Sequence, residues 1–254
     1  MPYCKICYIL RDMAPRERLG ELRDGRLRAG LTQLEASSRL SLSQPYLSQL
    51  ECGRRRLTAR VQRAMKRLYG LPATSLPLPL PLPPEPPRRN AGSDRLPSQL
   101  AALGYPGYAH VHPSPQLNPA VVVLEALSED DLDDRVTEAL PWMLARYSEL
   151  NWDWLLTHVK LRNLQNRLGF LVAVARELTE GRADRSDAAK RLGEIEKALE
   201  RARLAAETTL SRESMPPAER EWLRKHRPLL AKRWNVLTSL TARQLPYVAT
   251  SWPS

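Results

Sequence analysis

The chain has 254 residues, 43% of them hydrophobic, and carries 39 Lys and Arg against 28 Asp and Glu, a net charge of +11. It is long enough for two domains with separate cores. Its longest apolar run, 168–175, falls far short of the roughly eighteen residues that a membrane span needs. Three cysteines, Cys4, Cys7 and Cys52, are too few for a disulfide scaffold. The charge is uneven: residues 1–70 hold 15 Lys/Arg against 6 Asp/Glu, residues 71–119 hold 3 against 2, and residues 120–254 hold 21 against 20. The basic excess therefore sits at the N-terminal end, where it suits phosphate neutralisation.

In chain order, residues 1–15 show no helical period and no signal-peptide cleavage pattern, and they read as a disordered start of a cytoplasmic protein. Cys4-x-x-Cys7 offers half of a zinc site, with His110 and His112 as distant partners. That second pair lies among prolines rather than on an ordered turn, so the cysteines read as incidental reduced thiols and no metal site is expected. A first helix is predicted over Pro15–Ala29, with Leu19 and Leu22 inward and Gly30 ending it. Thr32 caps a short second helix whose apolar positions are Leu34, Ala36 and Leu40. Ser41-Leu42-Ser43 breaks the period, and Ser43 caps a third helix, residues 44–51, with Pro45 in its first turn. Leu47 and Leu50 face inward on it, while Gln44, Pro45, Ser48 and Gln49 are left outward. Gly53 closes this helix before Arg54, Arg55 and Arg56. Two short helices on a tight turn, with amides outside and cations behind, suit a DNA major groove. A plain helical hairpin is the bland alternative.

Leu31-Thr32-Gln33, Ser41-Leu42-Ser43 and Leu47-Ser48-Gln49-Leu50-Glu51-Cys52-Gly53 resemble the pattern of the Xre/Cro-type helix-turn-helix regulators of bacteria and phages. The resemblance covers residues 16–72. Ser41 stands in place of the usual turn glycine, and Ala36-Ser37 in place of the usual Leu-Ala pair. The prolines after Tyr69 leave no room for the family's fifth helix. The resemblance implies a lambda-repressor-like module reading double-stranded DNA with Gln44, Pro45, Ser48 and Gln49. The glutamine amides would match N7 and N6 of adenine. Thr32, Gln33, Ser43, Arg54, Arg55 and Arg56 would hold phosphates. It also implies an ion pair between Arg26 and Glu51, although the residues alone leave Arg26 equally readable as a surface cation.

A last helix of the module is predicted over Thr58–Tyr69, stopped by Gly70 and Pro72. Residues 73–119 read as a proline-rich linker. Leu76–Pro87 has seven prolines in twelve residues and predicts a polyproline II spacer of roughly 37 Å, and residues 88–119 read as loosely ordered. From 120 to 245 the pattern is helical. Ser128-Glu129-Asp130-Asp131 reads as a capping box for a helix to Leu140, Pro141 as the start of another, and Asn151 as a further cap. Leucine ladders over 161–178 and 188–206 predict an antiparallel hairpin, followed by helices 217–226 and 228–240. Val121–Leu124 is the only strand-like run. Trp142, Trp152, Trp154, Trp222 and Trp234 read as core or subunit-contact aromatics. Residues 246–254 are a tail.

The fold class is therefore all-α: a helix-turn-helix module, a proline-rich linker and a helical bundle. No nucleophile triad, phosphate loop or metal spacing appears, so no enzyme and no cofactor are expected. Two function classes fit. One is a sequence-specific DNA-binding transcriptional regulator, a nucleoid-associated repressor and homodimer held by residues 120–245. The other is an antitoxin-like protein whose C-terminal domain binds a protein partner, with the helix-turn-helix giving autoregulation.

Overall fold

The computed structural model describes residues 16–52, 54–55, 57–76, 78, 95–180 and 182–245, with side chains from Leu22 onward. The predicted polyproline spacer, Cys4, Cys7, Gly53, Arg56, Gly181 and the 246–254 tail lie wholly or largely outside these residues. The chain divides into two units, residues 1–77 and 78–254. Both are helical among the described residues, apart from one two-stranded pair in the second.

The first unit contains α1 (Arg16–Arg28), α2 (Gln33–Arg39), α3 (Gln44–Glu51) and α4 (Ala59–Tyr69). Each of the last three starts on a hydroxyl: Thr32, Ser43 and Thr58 accept the backbone N–H groups of Glu35, Tyr46 and Val61. Gly30 and Gly70 take positive φ at the ends of α1 and α4. The core comprises Leu22, Leu31, Ala36, Leu47, Leu50, Met65, Tyr69 and Leu71. Burial, followed by the nearby Glu51 carboxylate, pushes the Tyr69 phenol up to about 12.

Leu34 is not part of that core, being 71% exposed. It stands two residues before Ala36, about 200° round the helix, so the two cannot share a face. Nor does the unit stop at Pro72. Ala73–Ser75 form a 3-10 turn, Leu76 is buried, and Gln62 Nε2 donates to the Ser75 carbonyl. Leu71 lies where a Cβ on Gly25 would come within 2.7 Å of its side chain. This short turn, rather than a fifth helix, closes the unit.

The second unit begins earlier than the predicted 120. Residues 95–119, read from composition as loose linker, form α5 (Arg95–Ala102) and a turn at Pro106–Tyr108, with Leu100, Leu103, Tyr105 and Tyr108 buried. The buried Gln99 amide explains why a proline-rich stretch is ordered. Its Nε2 donates to Ser114 Oγ at 2.6 Å and to the Pro115 carbonyl at 3.0 Å, and its Oε1 accepts from the Leu117 N–H at 3.0 Å. The strand-like run 121–124 lies inside α6 (Pro119–Leu127).

Ser128 ends α6 rather than starting a helix, its hydroxyl donating to the Leu124 carbonyl at 2.7 Å. Asp131 is taken by Ser214, so Asp133 becomes the cap of α7 (Asp134–Arg146). Pro141 lies inside α7. It forfeits one hydrogen bond, but Leu140, Trp142, Met143 and Leu144 are buried around it and outweigh the roughly 3 kcal/mol cost.

Asn151 caps α8 (Trp152–Leu161) as predicted. The 161–178 ladder is broken: Asn163 takes φ +57°, Leu161 is 54% exposed, and α9 starts at Gln165 and runs to Thr179. α9 is buried on nearly every side and packs against α7, α8 and α10 (Ser186–Glu200). α10 stops before Ala202 and Ala206, because Asn166 ties the Leu204 and Ala206 carbonyls at 2.9 and 3.2 Å.

After α11 (Pro217–His226) the predicted long helix shortens to α12 (Leu229–Arg233). β1 (Thr208–Thr209) and β2 (Val236–Leu237) then pair in parallel. Trp142, Trp152 and Trp234 are core residues, whereas Trp222 is 55% exposed. Buried Arg167 of α9 collects the carbonyls of Leu127 and Glu129, the Thr208 hydroxyl and the Glu213 carboxylate.

Candidate nucleic-acid interface

The turn between α2 and α3 sets the angle at which α3 leaves the domain. Leu40 caps α2, Ser41 takes φ +55°, and the Leu42 N–H returns to the Ser37 carbonyl at 2.9 Å. Ser41 thus occupies the left-handed conformation that a glycine normally supplies. Thr32 and Glu35 form a reciprocal capping box, and Thr32 holds the Glu35 carboxyl below its usual range. Leu47 and Leu50 are fully buried, which turns Gln44 and Pro45 to solvent and leaves Ser48 and Gln49 half-buried.

Behind α3 lies a buried ion pair. Arg26 donates through Nε and Nη2 to the Glu51 carboxylate at 2.7 and 3.0 Å, and through Nη1 to the Leu31 carbonyl at 2.9 Å. Their side chains are 6% and 2% exposed. Glu51 also accepts from Gln33 Nε2 at 3.0 Å, and Gln33 Oε1 accepts from Gln44 Nε2 at 2.8 Å. A carboxylate accepts only, so it faces the nitrogen of Gln33 inward and the oxygen of Gln33 toward Gln44. The amide of Gln44 is therefore oriented from the core, with its oxygen and one N–H free.

At the other end of α3 the Arg54 N–H bonds the Gln49 carbonyl at 2.9 Å, folding the chain back along the helix. Arg55 Nε then donates to Gln49 Oε1 at 3.0 Å, and its guanidinium lies 5.5 Å from the centroid of the Tyr46 ring. Arg54 and Arg55 are both exposed. The structure thus brings Thr32, Gln33, Ser43, Gln44, Pro45, Ser48, Gln49, Arg54 and Arg55 onto or beside α2 and α3, while Arg56 lies outside the described residues. Tyr46 was missed from the sequence. Its spacing of three from Gln49 places both on one helix face, but nothing local says that Arg55 will fold over them.

Residues 18–77 match the family model of a helix-turn-helix domain. The N-terminal unit is a helix-turn-helix domain. The match is confined to that unit, and no curated protein and no solved structure matches the chain. Helix-turn-helix domains typically bind DNA and are typically non-enzymatic, so the match points to a DNA-binding regulator. No helix among the described residues is long and apolar enough to cross a membrane.

Proposed function

We propose that the protein is a sequence-specific, double-stranded DNA-binding repressor that reads the major groove with α3. The observation that carries this reading is the outward amide of Gln44, held in one orientation by Gln33, Glu51 and Arg26. A side chain whose donor and acceptor are both fixed discriminates bases. A freely rotating one serves any polar surface. Gln44 reads adenine, Pro45 and Ser48 line the groove wall, and Arg54 with the N-terminal ends of α2 and α3 holds phosphates. Gln33 keeps one N–H for a phosphate as well.

One such domain touches too little DNA for a tight site, so the reading includes a homodimer on half-sites about one helical turn apart, assembled through the C-terminal unit and acting at the nucleoid. The test is a titration of the full-length chain against the duplex upstream of its own gene and against a scrambled duplex, with sedimentation alongside. Affinity at least about a hundredfold higher for the former, with a dimer bound, is expected. Equal affinity for both duplexes would rule the reading out.

A further inference from the structure

We infer that the C-terminal end of α3 reads guanine through Arg55, with Gln49 and Tyr46 as its positioning residues, an inference that rests on the major-groove reading above. Arginine has donors only, so its Nε bond at 3.0 Å identifies the contacted atom of Gln49 as the amide oxygen. That bond takes one of the two lone pairs of the oxygen. The guanidinium carbon lies over the Tyr46 ring, 5.5 Å from its centroid. These two contacts hold Arg55 beside the end of α3 through its Nε, and the two Nη groups of this exposed residue are left for a ligand.

Both Nη groups of Arg55 are donors only. The major-groove edge of guanine offers two acceptors, O6 and N7, whereas adenine offers one acceptor and one donor. A fork of two donors satisfies guanine bidentately and opposes the amino group of adenine. Gln44 differs: its single bond to Gln33 leaves an acceptor and a donor, the complement of adenine. One short helix then distinguishes its two ends, with Gln44 on adenine and Arg55 on guanine. Side-chain type alone points elsewhere, assigning both glutamines to adenine and Arg55 to a phosphate.

The experiment is selection from randomised duplexes with the full-length chain and its variants. The wild type should enrich a half-site with guanine favoured about tenfold over adenine at one base pair. In Arg55→Leu the Gln49 oxygen is released, so adenine should replace guanine there while the base read by Gln44 is unchanged. Gln49→Leu should weaken the guanine preference. Gln49→Glu, which keeps an acceptor for Nε and has no donor, should retain it. If Arg55→Leu keeps the guanine and instead weakens all sequences alike, lowering the salt slope by about one, Arg55 is a phosphate contact and the assignment is wrong. If the wild type enriches no site at all, the groove reading itself fails and takes this assignment with it, and Gln44→Ala will then change nothing either.

Discussion

Gln44 donates to Gln33 across 2.8 Å, and the direction of that bond is set by a carboxylate in the core of the domain. On the proposed reading, the recognition surface therefore extends beyond the residues that would face the groove. Gln33 transmits the polarity of Glu51 to the tip of α3, so a buried charge and an exposed amide belong to one hydrogen-bonded unit.

Gln44→Ala should cost roughly 1–3 kcal/mol at the operator and much less on random DNA. Gln33→Leu should reduce the same adenine preference with Gln44 still present, because the amide is then free to rotate. Anisotropy titrations on operator duplexes carrying each base at the contacted position measure both effects. A Gln33→Leu protein with undiminished adenine preference would show that Gln44 needs no orientation.

Arg26→Leu should destabilise the helix-turn-helix domain by about 3–5 kcal/mol, since it leaves the Glu51 carboxylate buried without its cation. Arg26→Leu combined with Glu51→Leu should recover much of that loss, because two apolar groups need no solvation. Urea denaturation of the wild type and the two variants decides it, and a double variant no better than Arg26→Leu would contradict the account.

Ser41→Gly should raise the stability of the same domain by about 0.5–1 kcal/mol. Ser41 sits at φ +55°, where its Cβ is strained and glycine is not. Part of the gain is offset by the greater freedom of glycine in the unfolded chain. A lower urea midpoint in Ser41→Gly would show that the Ser41 side chain contributes more than its strain costs.

Gly169→Ala sets two effects against each other in α9. Replacing a helical glycine ordinarily gains about 1 kcal/mol. Here the new Cβ would lie 2.1 Å from the Trp234 ring, which is fully buried, and the overpacking should cost more than that gain, about 1–3 kcal/mol or above. The net prediction is a loss, relieved when Trp234→Leu is added. Thermal unfolding of both variants measures it, and a stabilised Gly169→Ala would mean that the ring moves freely.

His158 supplies a pH dependence. Burial, and secondarily the charge of Arg162, hold its imidazole below the ordinary histidine value despite the bond to the Trp154 carbonyl at 2.7 Å. The unfolded chain then binds the proton more readily than the folded one, so stability falls as pH drops from about 6.5 toward the lower folded value and is flat above. His158→Gln should flatten the dependence of the urea midpoint below about pH 6.5. The His158 ring stacks on Trp154 at 4.1 Å, so Trp154 fluorescence should report the same protonation.

Much of the helix-turn-helix was readable because its determinants are local. Thr32, Ser43 and Thr58 cap the next turn of chain, and the spacing of Leu47 and Leu50 states which side of α3 is inward. Leu34 misled because α2 is only seven residues long, too short for a period to reveal itself. In the second unit the decisive groups act across long separations. Gln99 orders residues 114–117, Asn166 stops α10, and packing around Pro141 overrides its preference to break a helix. The site shows the same division. The positions of Gln44 and Gln49 followed from helix geometry, but which of their atoms remain free depends on Glu51 and Arg55, which reach them only once the chain is folded.

The three-way grip of Arg26, on both Glu51 oxygens and on the Leu31 carbonyl, also bears on kinetics. It ties α1, the loop after it and the end of α3 into one piece, so α3 cannot swing while the rest of the domain stays still. On the proposed reading, docking should then be a single rigid-body encounter without a slow rearrangement after contact, at a speed set by the basic charge of the first 70 residues. Stopped-flow association at rising DNA concentration should remain one exponential phase, its rate growing linearly without a plateau and falling steeply with salt.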